Sequence, residues 1–105
     1  MTDFIEIKGV SGQGYAFRPC TGERLLPATG AVLVSAVNSR RGWTMTGVAE
    51  TENLARAEFH ELLGEGLRRR GAQVFFRLNV SAARRRDDVA DLLALMPEAA
   101  ETEAA

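Results

Sequence analysis

Cysteine is nearly missing: Cys20 stands alone. No internal disulfide and no thiolate metal cage can form, and a reducing, cytoplasmic setting is expected. Tyrosine, tryptophan and histidine also occur once each, as Tyr15, Trp43 and His60. Chemistry that needs two phenols or two imidazoles is therefore excluded. No segment approaches the roughly 18 consecutive apolar residues of a membrane span. Met1-Thr2-Asp3-Phe4 has neither the basic region nor the apolar run of a secretory leader. An excess of charge of one sign is lacking as well. The net charge is -1, from 13 basic and 14 acidic residues, so the whole chain exerts no pull on nucleic acid or an anionic surface.

The distribution of that charge is less even. Glu98, Glu101 and Glu103 lie in the last eight residues, so the preceding body holds 13 basic against 14 - 3 = 11 acidic groups, a charge of +2. Lys8 is the one lysine; every other basic residue is arginine. Arginine carries a planar fork matched to phosphate or carboxylate, although a biased genome composition is the simpler account of the skew. At 105 residues the chain is expected to form one domain over residues 1–97. Residues 98–105 read as an acidic, alanine-rich, disordered tail.

Phe4-Ile5-Glu6-Ile7-Lys8 alternates apolar and charged residues, the period of a half-buried strand. Gly9-Val10-Ser11-Gly12-Gln13-Gly14 is turn chemistry, and Tyr15-Ala16-Phe17-Arg18 returns as a second strand before Pro19. Residues 31–37 are apolar and β-branched, a buried strand. Asn38-Ser39-Arg40-Arg41-Gly42 turns the chain into a strand over residues 43–48. Thr51 is placed to cap a helix whose apolar stripe is Leu54, Ala55, Phe59, Leu62 and Leu63, weakened by Gly64 and Gly66. A short helical piece over 67–70 ends at Gly71. Residues 73–80 form another strand. Ser81 caps a last helix with Val89, Leu92, Leu93 and Met96 on one buried face, ended by Pro97. The pattern predicts an α+β fold: a small, mostly antiparallel sheet with an added N-terminal β-hairpin, flanked by two main helices.

Gly30-Ala31-Val32, then Gly47-Val48-Ala49 running into Glu50-Thr51-Glu52-Asn53-Leu54, together resemble the two tripeptides of the GIY-YIG nuclease superfamily. Arg70-Gly71-Ala72 before a strand is similar to a link in some bacterial members, and Asp91-Leu92-Leu93 to the late helix. The resemblance covers residues 5–96 and implies the small sheet described above. It also implies a nuclease site built from two tyrosines, an arginine and a metal-holding glutamate. The matching positions here are Val32, Gly47, Ala57 and Val89, none of which carries the required group. The closing asparagine falls near Ala100. A one-residue slip would reach Arg56 or Asp88 but supplies no tyrosine. The domain is read as degenerate, with no catalytic residue, no metal site and no cofactor. Mg²⁺ enters only if displaced residues restore the nuclease.

The remaining candidates are arginine clusters. Arg40, Arg41, Arg56, Arg68, Arg69 and Arg70 are the candidate nucleic-acid-binding residues; Arg84, Arg85 and Arg86 form a third run. If they share a face they make a phosphate-binding patch; if they scatter they are solvated charge, and Arg68–Arg70 suit a helix end without any ligand. His60 beside Glu61 reads as an ordinary surface histidine, and a Cys20–His60 pair has nothing in the spacing to support it. Asp87, Asp88 and Asp91 share one side of a helix, which suits dipole and arginine pairing better than a metal. The glycine-rich run 9–14 matches no phosphate-loop fingerprint. Three functions follow in order. The first is a catalytically inactive GIY-YIG-like module binding DNA or RNA through arginines. A protein-interaction or structural module comes next, and an active metal-dependent endonuclease last. No membrane partner is expected.

Overall fold

The computed structural model describes residues 4–20 and 25–96; the tail expected over 98–105 and the helix stop at Pro97 lie outside them. The elements are β1 (Ile5–Lys8), β2 (Gly14–Pro19), β3 (Ala31–Ser39), β4 (Gly42–Thr51), a 3-10 turn (Leu54–Arg56), α1 (Phe59–Leu63), α2 (Glu65–Arg68), β5 (Gln73–Leu78) and α3 (Ala82–Leu93). All five strands belong to one antiparallel sheet in the order β1-β2-β5-β3-β4. The α+β fold and the N-terminal hairpin match the sequence pattern.

β3 is buried along Ala31–Ala36 because helical structure covers both faces of the sheet. Even-numbered residues of β3 face α3: Val32, Val34 and Ala36 pack with Tyr15, Phe17, Phe75 and Leu92, flanked by Val89 and Leu95. Odd-numbered residues face the other way, where Ala31 and Leu33 pack with Leu54 and Leu63, flanked by Phe59, Leu67, Val74 and Phe76. Each fully buried aliphatic or aromatic side chain contributes about 1.5–3 kcal/mol, so β3 supplies apolar area to two cores at once.

The first of the two main helices is broken into the 3-10 turn, α1 and α2, and α2 overlaps the short helical piece expected over 67–70. Thr51 is not a helix cap, because β4 keeps pairing with β3 as far as Ala31 opposite Thr51. Asn53 caps instead, its Oδ1 accepting from Ala55 N at 3.1 Å, and Leu54 N donates to Thr29 O at 2.8 Å. Extended backbone at Ala57 and Glu58 resets the phase before α1. Gly64, at φ +53°, separates α1 from α2, a conformation glycine adopts without strain. The phase shift leaves Ala55 and Leu62 exposed rather than in the stripe. α3 starts where expected, with Ser81 Oγ accepting from Arg84 N at 3.2 Å. Its buried face is Arg85, Val89 and Leu92; Leu93 is exposed. β5 stops at Leu78, and Val80 is exposed.

One irregularity anchors α2. Ser35 pairs with Gly47 but Ala36 pairs with Met45, so Thr46 is an extra residue in β4. The bulge turns Thr46 onto the α2 face, where its Oγ1 donates to Gly66 O at 2.8 Å and lies 2.9 Å from Ser35 Oγ. Two buried hydroxyls are thereby satisfied by each other and by a helix carbonyl.

Candidate nucleic-acid interface

Antiparallel pairing decides which arginines meet. β3 passes into β4 through Arg40-Arg41 at one end of the sheet, called here the tip end. β5 begins at that end, with Gln73 opposite Ala36, so Arg68, Arg69 and Arg70, which lead into β5, stand beside the same end. Five of the six candidate residues are gathered there. Arg18, opposite Phe76 and therefore level with Leu33, lies in the body of the sheet and is not one of them. All of these side chains are exposed. Glu65 is their acidic neighbour, its carboxylate 3.5 Å from Arg68 Nη1 with both groups largely in water, a pairing of the kind worth little.

Arg56 does not join them. It lies on the 3-10 turn tied to Thr29, at the end where Ala31 meets Leu78 and Thr51. Along the nine residues of β3, at about 3.3 Å each, the two ends are roughly 25 Å apart. Arg84, Arg85 and Arg86 also belong to that second end. Arg85 is not solvated charge: it is 3% exposed, with Nε donating to Glu50 Oε1 at 2.6 Å and Nη1 donating to Asn79 O at 2.9 Å. One signal was legible, since 85, 89 and 92 continue the buried stripe of α3 at i, i+4 and i+7.

The second end also holds a polar hollow of about 420 Å³ lined by Ser11, Gln13, Tyr15, Arg84, Asp87, Asp88 and Asp91. Asp91 binds the β1–β2 turn to α3: it accepts from Ser11 N at 2.8 Å, Ser11 Oγ at 2.7 Å and Tyr15 Oη at 2.8 Å. These bonds, those from Ser11 foremost, hold its carboxyl below the usual range. Tyr15 is pushed up to about 12, first by burial and then by its bond to Asp91. At neutral pH this pair is a protonated phenol donating to an occupied carboxylate. It fastens a turn and offers no free base. Asp88 accepts from Asn79 Nδ2 at 3.2 Å. Arg77 lays its guanidinium over the Tyr15 ring, 5.4 Å from the centroid. Its Nε is the buried side-chain polar atom left without a partner among the described residues.

Because Tyr15 is the chain's one tyrosine, its titration is directly readable. Phenolate absorbance in the ultraviolet is expected to rise with a midpoint near 12 in the native protein and near the ordinary 10 in denaturant. The folded value is the higher, so the unfolded chain ionises first. Stability is then full below about pH 10 and falls as pH rises toward the native value. Tyr15→Phe should remove that part of the alkaline loss. A native midpoint near 10 would refute the burial argument.

The nuclease positions do not converge. Val32 and Val89 belong to the core under α3, whereas Ala57 packs against the opposite core. Gly47 faces α2, where a Cβ would lie 2.8 Å from Ser35 Oγ and 3.3 Å from Leu63 O. The sheet separates the two pairs. The substitutes Arg56 and Asp88 sit on the 3-10 turn and on α3, on opposite faces as well. Cys20 donates its backbone N–H to Val74 O, and burial pushes its thiol up to about 11, which disfavours the thiolate that a Cys20–His60 pair requires. No group of three or more His, Cys, Asp or Glu among the described residues can hold a metal ion. No described helix is long and apolar enough to cross a membrane. Comparison with protein-family models, with curated proteins and with solved structures gives no match.

Proposed function

We propose that this chain is a non-catalytic, GIY-YIG-like module that binds nucleic acid through the arginines at the tip end of its sheet. The observation that carries the reading is the gathering of Arg40, Arg41, Arg68, Arg69 and Arg70 at one end of a chain whose net charge is -1. Such a local field attracts phosphates that the whole molecule does not. Arg56, at the opposite end of the sheet, takes no part. The separation of Val32 and Val89 from Gly47 and Ala57 by the sheet supports the non-catalytic half of the proposal. A reducing, cytoplasmic setting belongs to the same proposal, on the single cysteine.

The test is binding of labelled DNA or RNA at several salt concentrations. Affinity is expected to fall steeply with salt, at about 0.9 log units per log unit for each phosphate neutralised. Arg68→Ala/Arg70→Ala should lower that slope by roughly 2, and Arg56→Ala should leave it unchanged. Absence of binding at low salt would end the reading. In parallel, plasmid incubated with Mg²⁺ or Mn²⁺ is expected to stay intact; cleavage abolished by Arg56→Ala or Asp88→Ala would show an active nuclease instead. A protein-interaction role is the second reading. It rests on Leu78, in the terminal β3–β5 pair, and Val80 beyond it, 49% and 79% exposed.

A further inference from the structure

The β3–β4 hairpin is longer than the sheet that supports it. The last β3–β5 pair is Ala36 with Gln73. β3 and β4 continue alone through Val37–Thr44, Asn38–Trp43 and Ser39–Gly42. Three more residues per strand, at about 3.3 Å each, carry the Arg40-Arg41 tip roughly 10 Å beyond the start of β5. The projecting piece is held in shape. Ser39 Oγ accepts from Arg41 N at 3.3 Å and donates to Gly42 O at 3.1 Å. Gly42 takes φ +102°, so both arginines keep negative φ. From within the projecting piece, Trp43 packs edge-on against Phe75, with ring centroids 5.0 Å apart, which fixes the ribbon to the core under α3.

Val37 and Trp43 are half-buried, and the exposed side chains are polar, namely Asn38, Ser39, Arg40, Arg41 and Thr44. These are side chains that hydrogen-bond base edges, arginine pairing with O6 and N7 of guanine and asparagine with N6 and N7 of adenine. A two-stranded ribbon fits the major groove of B-form DNA, which is about 12 Å wide and 8.5 Å deep, and not the minor groove of about 6 Å. The major groove of A-form RNA is too narrow for side chains to read. The overhang matches the groove depth. With the tip on the groove floor, Arg68 and Arg70, which precede Gln73, come level with the phosphates along the groove wall.

We infer that the partner is duplex DNA, with the Arg40-Arg41 tip inserted in the major groove and Arg68 and Arg70 on the flanking phosphates. This rests on the nucleic-acid reading above and adds to it the class of duplex and the groove. Fluorescence anisotropy would compare a short mixed-sequence DNA duplex, the same duplex with 7-deazaguanine replacing guanine, and an RNA duplex of the same sequence. The native chain should bind the DNA duplex at least about tenfold more tightly than either of the others, within the range one forked guanine contact confers. Arg40→Lys/Arg41→Lys keeps the charge and loses the fork. It should erase the 7-deazaguanine difference while keeping the salt slope. Arg68→Ala/Arg70→Ala should weaken binding to the DNA duplex and its 7-deaza form alike and lower the slope by roughly 2. Equal affinity for all three duplexes with an unchanged salt slope would overturn groove insertion and leave nucleic-acid binding standing. No binding to any of them at low salt would remove both.

Discussion

Gly66→Ala is expected to destabilise the fold severely, although helix propensity alone favours alanine by about 1 kcal/mol. A Cβ on Gly66 would collide with Thr46 O, and it would lie 2.7 Å from Ser35 Oγ and 2.8 Å from Thr46 C. Two of these three atoms are backbone of a paired strand, so no side chain can swing aside. α2 must lift off β4, which also lengthens the Thr46 Oγ1 to Gly66 O bond. Overpacking of about 1–3 kcal/mol and a lost buried hydrogen bond of about 1 kcal/mol together take a large share of a typical 5–15 kcal/mol. Gly64→Ala is the control. Nothing lies within 4 Å of its Cβ, so its cost is backbone strain alone, about 1–3 kcal/mol for a φ of +53° with ψ -126°, with no loss of the Thr46–Gly66 contact. Thermal denaturation of both variants decides the matter. A Gly66→Ala protein as stable as the parent would mean that α2 does not rest on the bulge. The same crowding leaves no room for a large side chain at Gly47.

Arg85→Met is expected to cost about 3 kcal/mol, the lower end for breaking a buried ion pair because water reaches Glu50. The Glu50 side chain is 33% exposed against 4% for Arg85. Methionine keeps most of the volume but strands the Glu50 carboxylate and removes the donor to Asn79 O. For a domain of this size the loss corresponds to a melting temperature lower by more than 10 °C, at roughly 4–8 °C per kcal/mol. Arg84→Met and Arg86→Met, both exposed neighbours, should change it little. Glu50→Gln in the Arg85→Met background should recover part of the loss, because a neutral amide tolerates the site better than a lone carboxylate. A melting temperature equal to that of the parent would show that the pair contributes nothing.

These two residues mark where the sequence stops being legible. Alternation in Ile5–Lys8, the β-branched run of β3, the Ser81 cap and the turn glycines are local signals, and each produced its element. Gly66 reads as a helix weakener until the bulge at Thr46 brings a strand carbonyl against it. Arg85 reads as one of three solvated arginines until Glu50, 35 residues earlier, closes on it. Asp91 looked like dipole complement; its partners Ser11 and Tyr15 lie 80 and 76 residues away. The arginines divide for the same reason. Their runs are equally basic, and only the insertion of β5 between β2 and β3 decides that Arg68–Arg70 join Arg40-Arg41 while Arg56 and Arg84–Arg86 go to the opposite end.

That insertion also has a consequence for biosynthesis. β1–β2 and β3–β4 close through short connections, so both ribbons can zip as soon as each leaves the ribosome. Neither touches the other through a ladder until the fifth strand has been translated and wedges in between, a non-local and therefore slow step. Until then the inner edges of both ribbons stay unsatisfied, which makes the nascent half-chain the stage most open to wrong pairing with its neighbours.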